Sequence, residues 1–386
     1  MIRPVILREL RRMTSRRIYF AACIGLPLFA LVFMATLFGN GRLENLPVGV
    51  VDGDNTSASR NIIRMVDATP ALRVAHHYAN EAEAWADVRR REIYGWLSIP
   101  SGFEAHMGDG EETTLCYYYH NALMSVGGEL HATFGTLLKQ MSVMPVVVKA
   151  TALGMNGEAI TSFLMPVAEE VHPLYNPRRD YSVYLSQPFF FVMLQVLVLL
   201  TTTYALGSEG KFGTADEWMR AAGGNIALAV AGKLIPYTLI YIVTGILANY
   251  VFFGWMHIPL PCSLWAINGL TVLFLLATQA LAVFLFSLFP AMSLVISVVS
   301  MVGSLGATLS GVTFPVSAMY APVRLASHLF PVRHYVEAVQ TLLYRGGGFT
   351  FVWTDVVVLL LFLLPPLFLL PHLKRSLTDK KYEQND

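Results

Sequence analysis

The chain has 386 residues, of which 55% are hydrophobic and only 14% charged, and its formal net charge is +1. A soluble globular protein carries about a quarter charged residues, so this composition indicates an integral membrane protein. Its apolar runs are long and continuous, which excludes a transmembrane barrel built from alternating segments of about 10 residues. The near-neutral charge gives no indication of a nucleic-acid partner.

The N-terminal segment, residues 1–17, is basic and amphipathic. Apolar residues such as Val5 and Leu10 recur near helical spacing among several arginines and one acid, Glu9. This pattern predicts a helix on the cytoplasmic membrane surface, with a plain cytoplasmic flank as the alternative. Residues 18–41 are uncharged and long enough to form a first span. The arginines before them place the N-terminus in the cytoplasm.

Residues 42–180 are polar enough to form a domain outside the membrane. Strand patterns alternate with helix patterns, which predicts a small α/β domain inserted between spans one and two. The predicted strands are residues 46–52, 72–78, 93–100 and 115–119, and the predicted helices are residues 57–68, 81–91 and 127–164. The last helix is interpreted as a stalk that returns to the membrane.

Residues 181–373 are predicted to form a bundle of five further spans, so that the fold class is an α-helical polytopic membrane protein with six spans. Their predicted bounds are residues 181–208, 234–255, 263–288, 291–309 and 356–373. The tail, residues 374–386, is basic, and Lys374, Arg375, Lys380 and Lys381 place the C-terminus in the cytoplasm. An even number of spans agrees with this placement of both termini.

Residues 311–348, before the last span, are too broken by proline for a span and too apolar for a free loop. We predict two short helices that dip into the outer leaflet, where irregular backbone is tolerated only if it packs against protein. The residues that mark this outer re-entrant region are Phe314, Pro315, Pro331, Arg333 and Tyr335.

A polar island, residues 208–236, lies between two long apolar runs and must sit at a membrane face. Thr214 followed by Glu217 predicts a capping box at a helix N-terminus. Gly223 and Gly224 predict the end of that helix, which is therefore placed within residues 213–224. A helix this short is marginal alone in water, so a contact with another protein is predicted here.

The sequence holds no catalytic, cofactor-binding or metal-binding motif. Gly210-Lys211 and Gly232-Lys233 lack the upstream glycine and the following Ser or Thr of a P-loop. His76 and His77 are adjacent in a predicted strand and would point to opposite faces, which disfavours a shared metal. Three unrelated thiols are favoured over a pairing of Cys116 with Cys262. The spans are almost free of ionisable residues, which disfavours a proton-driven transporter and an intramembrane enzyme.

The island resembles the coupling region of the ABC type-2 permeases, the membrane subunits of ATP-driven exporters. Segments 46–60, 93–103 and 313–339 are also similar to that family, in the same order along the chain. The second acidic residue of the family pattern is absent from its usual place, and Lys211 is shifted. The residues of the island that match are Glu209, Gly210, Lys211, Gly213, Thr214, Glu217, Gly232, Lys233 and Pro236.

The resemblance implies a permease subunit that moves a drug, a lipid or another amphiphile out across the bacterial inner membrane. A lipid-linked or polypeptide substrate is the alternative within transport. The implied partners are an ABC ATPase that carries ATP and Mg, a second permease copy in a homo- or heterodimer, and a periplasmic adaptor or outer-membrane channel. The chain itself would bind no cofactor.

The resemblance also implies which residues couple to the ATPase, with the N-terminal helix as a second contact. For Trp218 and Met219 the alternative is an anchor at the membrane interface. The coupling residues are Glu209, Gly213, Thr214, Glu217, Trp218, Met219 and Arg220. The alternative from another class is a membrane-anchored sensor or scaffold whose outer domain binds a ligand or partner, for which a soluble output domain would be expected.

Overall fold

The structure is a computed structural model that describes residues 2–39, 41–109, 111–152, 172–177, 179–346 and 348–378. The chain divides into two compact units, Met1–Gly41 with Pro173–Asp386, and Arg42–His172. Part of the predicted stalk, residues 153–164, and Lys380 and Lys381 lie outside the described residues. The two units are described separately.

The first unit begins with helices α1 (Ile2–Ser15) and α2 (Arg17–Leu37), which confirm the predicted N-terminal helix and an apolar helix after it. The chain leaves this unit after Gly41 and returns at Pro173. Soon after its return, the chain lies beside the residue at which it left, because the Tyr181 backbone N–H donates a hydrogen bond of 2.6 Å to the Gly41 carbonyl oxygen. Asp180 reinforces the return, since its Oδ1 accepts from the Ser182 backbone N–H at 2.8 Å.

The second unit is built on a four-stranded sheet with the order β2-β1-β3-β4. Strand β1 is parallel to both β2 and β3, whereas β4 is antiparallel to β3. In chain order its elements are β1 (Leu46–Asp52), α3 (Ser57–Asp67), β2 (Leu72–Tyr78), α4 (Glu81–Arg90), β3 (Gly95–Ile99), α5 (Phe103–Asp109), β4 (Cys116–Tyr119) and α6 (Met124–Ala152). The four predicted strands and the helices predicted over residues 57–68 and 81–91 are confirmed within two residues. The helix predicted over residues 127–164 is described from Met124 to Ala152.

Five helical stretches are long and apolar enough to cross a membrane among the described residues. They are α2, α7 (Ser182–Lys211), α9 (Ile226–Trp255), α10 (Leu264–Leu288) and the stretch Phe349–Leu377. A short helix, α8 (Ala215–Ala221), lies between α7 and α9. The predicted fifth span is α11 (Met292–Thr308), which has only 17 residues. A helix of that length measures roughly 26 Å, slightly less than a ~30 Å hydrocarbon core.

Two of the predicted spans begin inside helices that start earlier. Helix α9 begins at Ile226 and not at residue 234, because the Asn225 side chain accepts hydrogen bonds from the backbone N–H groups of Ala227 and Leu228. The last stretch begins at Phe349 rather than 356. It also breaks before Pro365, where a proline that lacks a backbone N–H starts a new helix.

The region between α11 and Phe349 forms short helices, as predicted. They are α12 (Ala321–Ser327) and α13 (Pro331–Tyr344), followed by α14 (Phe349–Leu361) and α15 (Pro365–Thr378) of the last stretch. Tyr335 of α13 is fully buried, and its ring stacks on Phe274 with 4.4 Å between centroids. Its hydroxyl accepts from Gln187 Nε2 at 2.8 Å, so α13 packs against α7 and α10.

All three cysteines are free thiols. The pairing of Cys116 with Cys262, which the sequence left open in principle, is therefore not made. No group of three or more His, Cys, Asp or Glu residues in the described part of the chain could hold a metal ion.

Candidate coupling site

The polar island forms a tight loop–helix–loop between α7 and α9. Gly213 has a φ of +62°, a left-handed backbone conformation that glycine adopts without strain. Helix α8 follows, and Gly223 and Gly224, with φ values of +65° and +76°, end it. The predicted stop signal is thus confirmed. Asp216, Glu217 and Arg220 of α8 are exposed and form what we call the coupling surface.

Thr214 does not form the predicted capping box, because its side chain makes no capping hydrogen bond at the start of α8. Its hydroxyl instead donates a 2.6 Å hydrogen bond to Glu209 Oε2. A hydrogen bond to a carboxylate is charge-assisted and strong, so Thr214 connects α8 to the end of α7.

Trp218 faces into the protein and is fully buried. Its indole Nε1 donates a 3.1 Å hydrogen bond to the Ala229 carbonyl oxygen, and Lys233 Nζ lies 5.5 Å from the centre of its ring. Helix α9 covers this side chain, and the contact of Trp218 with an ATPase stays a prediction. Trp218 fastens α8 to α9, and Met219 is partly buried against the same core.

Glu209 is the centre of the site. It lies in the last turn of α7 and is fully buried. Its Oε1 accepts from Arg8 Nη1 at 2.7 Å, Arg12 Nη1 at 2.6 Å and Lys233 Nζ at 2.6 Å. Its Oε2 accepts from Arg8 Nη2 at 2.9 Å, which makes the Arg8 contact bidentate. Such charge-assisted bonds are shorter and stronger than neutral ones, and the one to Glu209 is the main cause that raises the pKa of Arg8.

A second carboxylate extends the cluster across α9. Lys233 Nζ, fully buried, also donates to Glu9 Oε2 at 2.6 Å, and Tyr237 donates through its hydroxyl to Glu9 Oε1 at 2.6 Å. Glu9 is only 1% exposed. Two carboxylates and three cations from α1, α7 and α9 therefore share one buried network, which we call the Glu209 cluster (Arg8, Glu9, Arg12, Glu209 and Lys233).

Helix α1 approaches α9 closely at Gly232. A Cβ atom built at Gly232 would lie 2.9 Å from Cβ of Val5 and 3.2 Å from Cγ1 of Ile2. Val5 is 1% exposed, whereas Leu7 and Leu10 on α1 are 47% and 42% exposed. One face of α1 is thus buried on α9 and another presents leucines, as expected of a helix at a membrane surface.

Substitution of Gly232 by alanine is expected to loosen α1. The added methyl group would overlap Val5, and overpacking of a close contact costs roughly 1–3 kcal/mol. Faster trypsin cleavage after the α1 arginines in detergent would report the loosening. Gly210→Ala is the matched control, because a Cβ there meets nothing within 4 Å. Equal cleavage of the two variants would contradict the close approach.

Reasoning from the sequence missed most of this cluster. The island and Glu209 were identified, and Glu217 and Arg220 lie at the surface as a contact residue must. The role of Glu9 was missed, although it is the one acid of a basic helix. Lys233 was noted only as part of a motif, although it is the last charge before a long uncharged run. These isolated opposite charges were the available signal.

The outer re-entrant residues are not brought together into one site. Phe314 and Pro315 are exposed in the turn before a short 3₁₀ helix, Val316–Ala318. Pro331 starts α13, and Tyr335 belongs to the core. Arg333 is buried and ion-paired in a separate cavity beside α13.

The comparisons with known proteins identify the family of the chain. The family model described as ABC-2 family transporter protein matches residues 17–369, so the chain belongs to that family. It is similar to the inner membrane transport permease YhhJ of Escherichia coli (strain K12), with 22% identity over 340 residues covering 85% of each chain. The protein of the same name from Shigella flexneri matches equally.

The chain is therefore a membrane permease of the ABC-2 family. Membership of that family implies an ABC ATPase as partner. The similarity to inner membrane permeases, together with several long apolar helices, supports an inner-membrane protein.

Proposed function

We propose that this chain is the permease subunit of an ABC exporter and that the Glu209 cluster transmits ATPase movement to the spans. The single observation that carries the proposal is that one buried carboxylate joins α1, α7, Thr214 before α8, and α9. A displacement of the coupling surface would therefore move three helices together. ATP and Mg would be bound by the ATPase partner.

The proposed orientation places both termini in the cytoplasm, where the arginines of α1 favour the inner side. The coupling surface then faces the ATPase. Unit Arg42–His172 would lie outside the cytoplasm and meet a periplasmic adaptor or an outer-membrane channel. Lys374 near the C-terminus supports a shared side for the tail and the island, because its Nζ donates a 2.8 Å hydrogen bond to the Gly224 carbonyl oxygen.

The proposed route for a drug, lipid or other amphiphile runs between two permease copies. Helix α11 supports this route, because its exposed face carries a row of hydroxyl groups at helical spacing. Each hydroxyl donates to a backbone carbonyl of its own helix. Its oxygen can still accept a hydrogen bond from a second copy or a polar substrate group, whereas lipid tails offer no donor. The exposed residues of this row are Ser297, Ser300, Ser304 and Thr308.

The test of the partner is co-purification of the full chain in mild detergent at native expression. Wild type is expected to bring down a P-loop ATPase. Glu217→Lys reverses one charge on the coupling surface and is expected to bring down roughly tenfold less of the ATPase. The matched control is Glu112→Lys, a charge reversal at an exposed site of unit Arg42–His172, which should retain the ATPase. Absence of any ATPase with wild type would overturn the proposal and favour a sensor or scaffold.

A further inference from the structure

A cavity of about 480 Å³ lies beside α13 and α14 and shares no residue with the Glu209 cluster. Its lining combines charged side chains with an apolar wall. Arg333, Glu337 and Arg345 of the α13 segment line it, and Phe351 and Val358 of α14 supply apolar surface. A pocket with a few convergent polar groups on an apolar lining is the usual form of a small-molecule site.

Arg333 forms ion pairs with both carboxylates of the cavity. Glu337 Oε2 lies 2.7 Å from Arg333 Nη1. Asp355 Oδ1 lies 2.9 Å from His334 Nδ1 and 3.9 Å from Arg333 Nη1. The side chains of Arg333 and His334 are only 8% and 2% exposed. The two carboxylates therefore share the Arg333 guanidinium inside the wall.

Arg345 is the second guanidinium of the lining. It caps the end of α13 and lines the cavity with an exposed side chain. Among the residues that the structure describes, no carboxylate forms an ion pair with it. Arg345 is therefore the guanidinium of the lining that is left to meet an anionic group, because both carboxylates are paired with Arg333.

We infer that this cavity binds the anionic headgroup of an amphiphile, with Arg345 holding the headgroup and Phe351 and Val358 contacting the chain. A guanidinium presents paired N–H donors that match carboxylate and phosphate oxygens. The headgroup could come from a membrane lipid or from a free amphiphile, and both share this chemistry. The inference does not depend on the proposed transport function, because binding needs no ATPase.

The test uses the full-length chain purified in an uncharged detergent, with dodecyl phosphate as the free probe and phosphatidylglycerol as the lipid probe. Binding is measured by native mass spectrometry. One of the two probes is expected to bind wild type. Arg345→Gln should lower the affinity for that probe roughly tenfold, and Arg345→Lys should lower it less. Arg324→Gln removes an equally exposed arginine, on α12, that does not line the cavity. This control should bind like wild type.

A second variant has the opposite expected sign. Glu337→Gln removes the partner of Arg333 and should tighten binding, whereas a merely structural disturbance would weaken it. Dodecyl phosphate binding identifies a free amphiphile, and binding of phosphatidylglycerol alone identifies a lipid. Binding of neither probe, or equal losses in Arg345→Gln and Arg324→Gln, would overturn the inference. Unchanged thermal unfolding of each variant excludes misfolding as the cause.

Discussion

Replacement of Glu209 by glutamine is expected to detach α1 from the bundle and to destabilise the permease by about 3–5 kcal/mol. The carboxylate accepts hydrogen bonds from two arginines and one lysine. A neutral amide leaves these three cations with one remaining carboxylate, Glu9, in a buried place. Uncompensated buried charge is among the largest single-residue penalties.

The measurement is thermal unfolding in detergent, combined with trypsin cleavage after the α1 arginines. Cleavage in α1 should precede global unfolding in Glu209→Gln and not in wild type. Glu217→Gln is the matched control, because Glu217 is an exposed acid on α8, and surface substitutions of this kind usually stay within about 0.5 kcal/mol. A Glu209→Gln protein as stable as this control would show that the buried cluster does not hold α1.

Transport should respond to the same substitution. With α1 detached, the coupling surface still binds the ATPase, but its movement no longer reaches α9 through Lys233. We expect ATPase binding to persist while substrate export falls. Loss of binding and export together would instead mean that Glu209 only maintains the fold of the island.

The elements that could be predicted from the sequence were those with a local signal. The strands of the second unit follow alternating and turn patterns, and β1 and β2 have the predicted bounds. Gly223 and Gly224 end α8 because a left-handed conformation is a property of one residue. The long apolar helices follow from composition alone.

The parts that failed depend on contacts between distant residues. The local pattern at Thr214 and Glu217 predicted a capping box, but the Thr214 hydroxyl donates to Glu209 and makes no capping hydrogen bond. Nothing in the segment around Trp218 reveals that α9 covers this side chain. Lys233 pairs with Glu9 from 224 positions away in sequence, and no periodicity encodes such a pair.

Substitution of Lys233 by methionine is expected to destabilise the permease by roughly 3–5 kcal/mol, about as much as substitution of Glu209. Here the buried charge that loses its partner is negative rather than positive. Glu209 keeps both arginines, so the loss falls on Glu9. That carboxylate is 1% exposed and would retain only the Tyr237 hydroxyl. An ionised group with a single neutral partner is costly to bury.

The double variant Lys233→Met with Glu9→Gln separates this cause from simple loss of packing. Glutamine removes the stranded charge and can still accept from Tyr237, so the double variant should be more stable than Lys233→Met alone. Thermal unfolding of the two single variants and the double variant should give a coupling of about 0.5–3 kcal/mol. Strictly additive losses would mean that Lys233 contributes through its contact with Trp218 and its apolar stem rather than through Glu9. A rescue would show that α1 is held to α9 by charge pairing inside the protein, which is the property the coupling proposal requires.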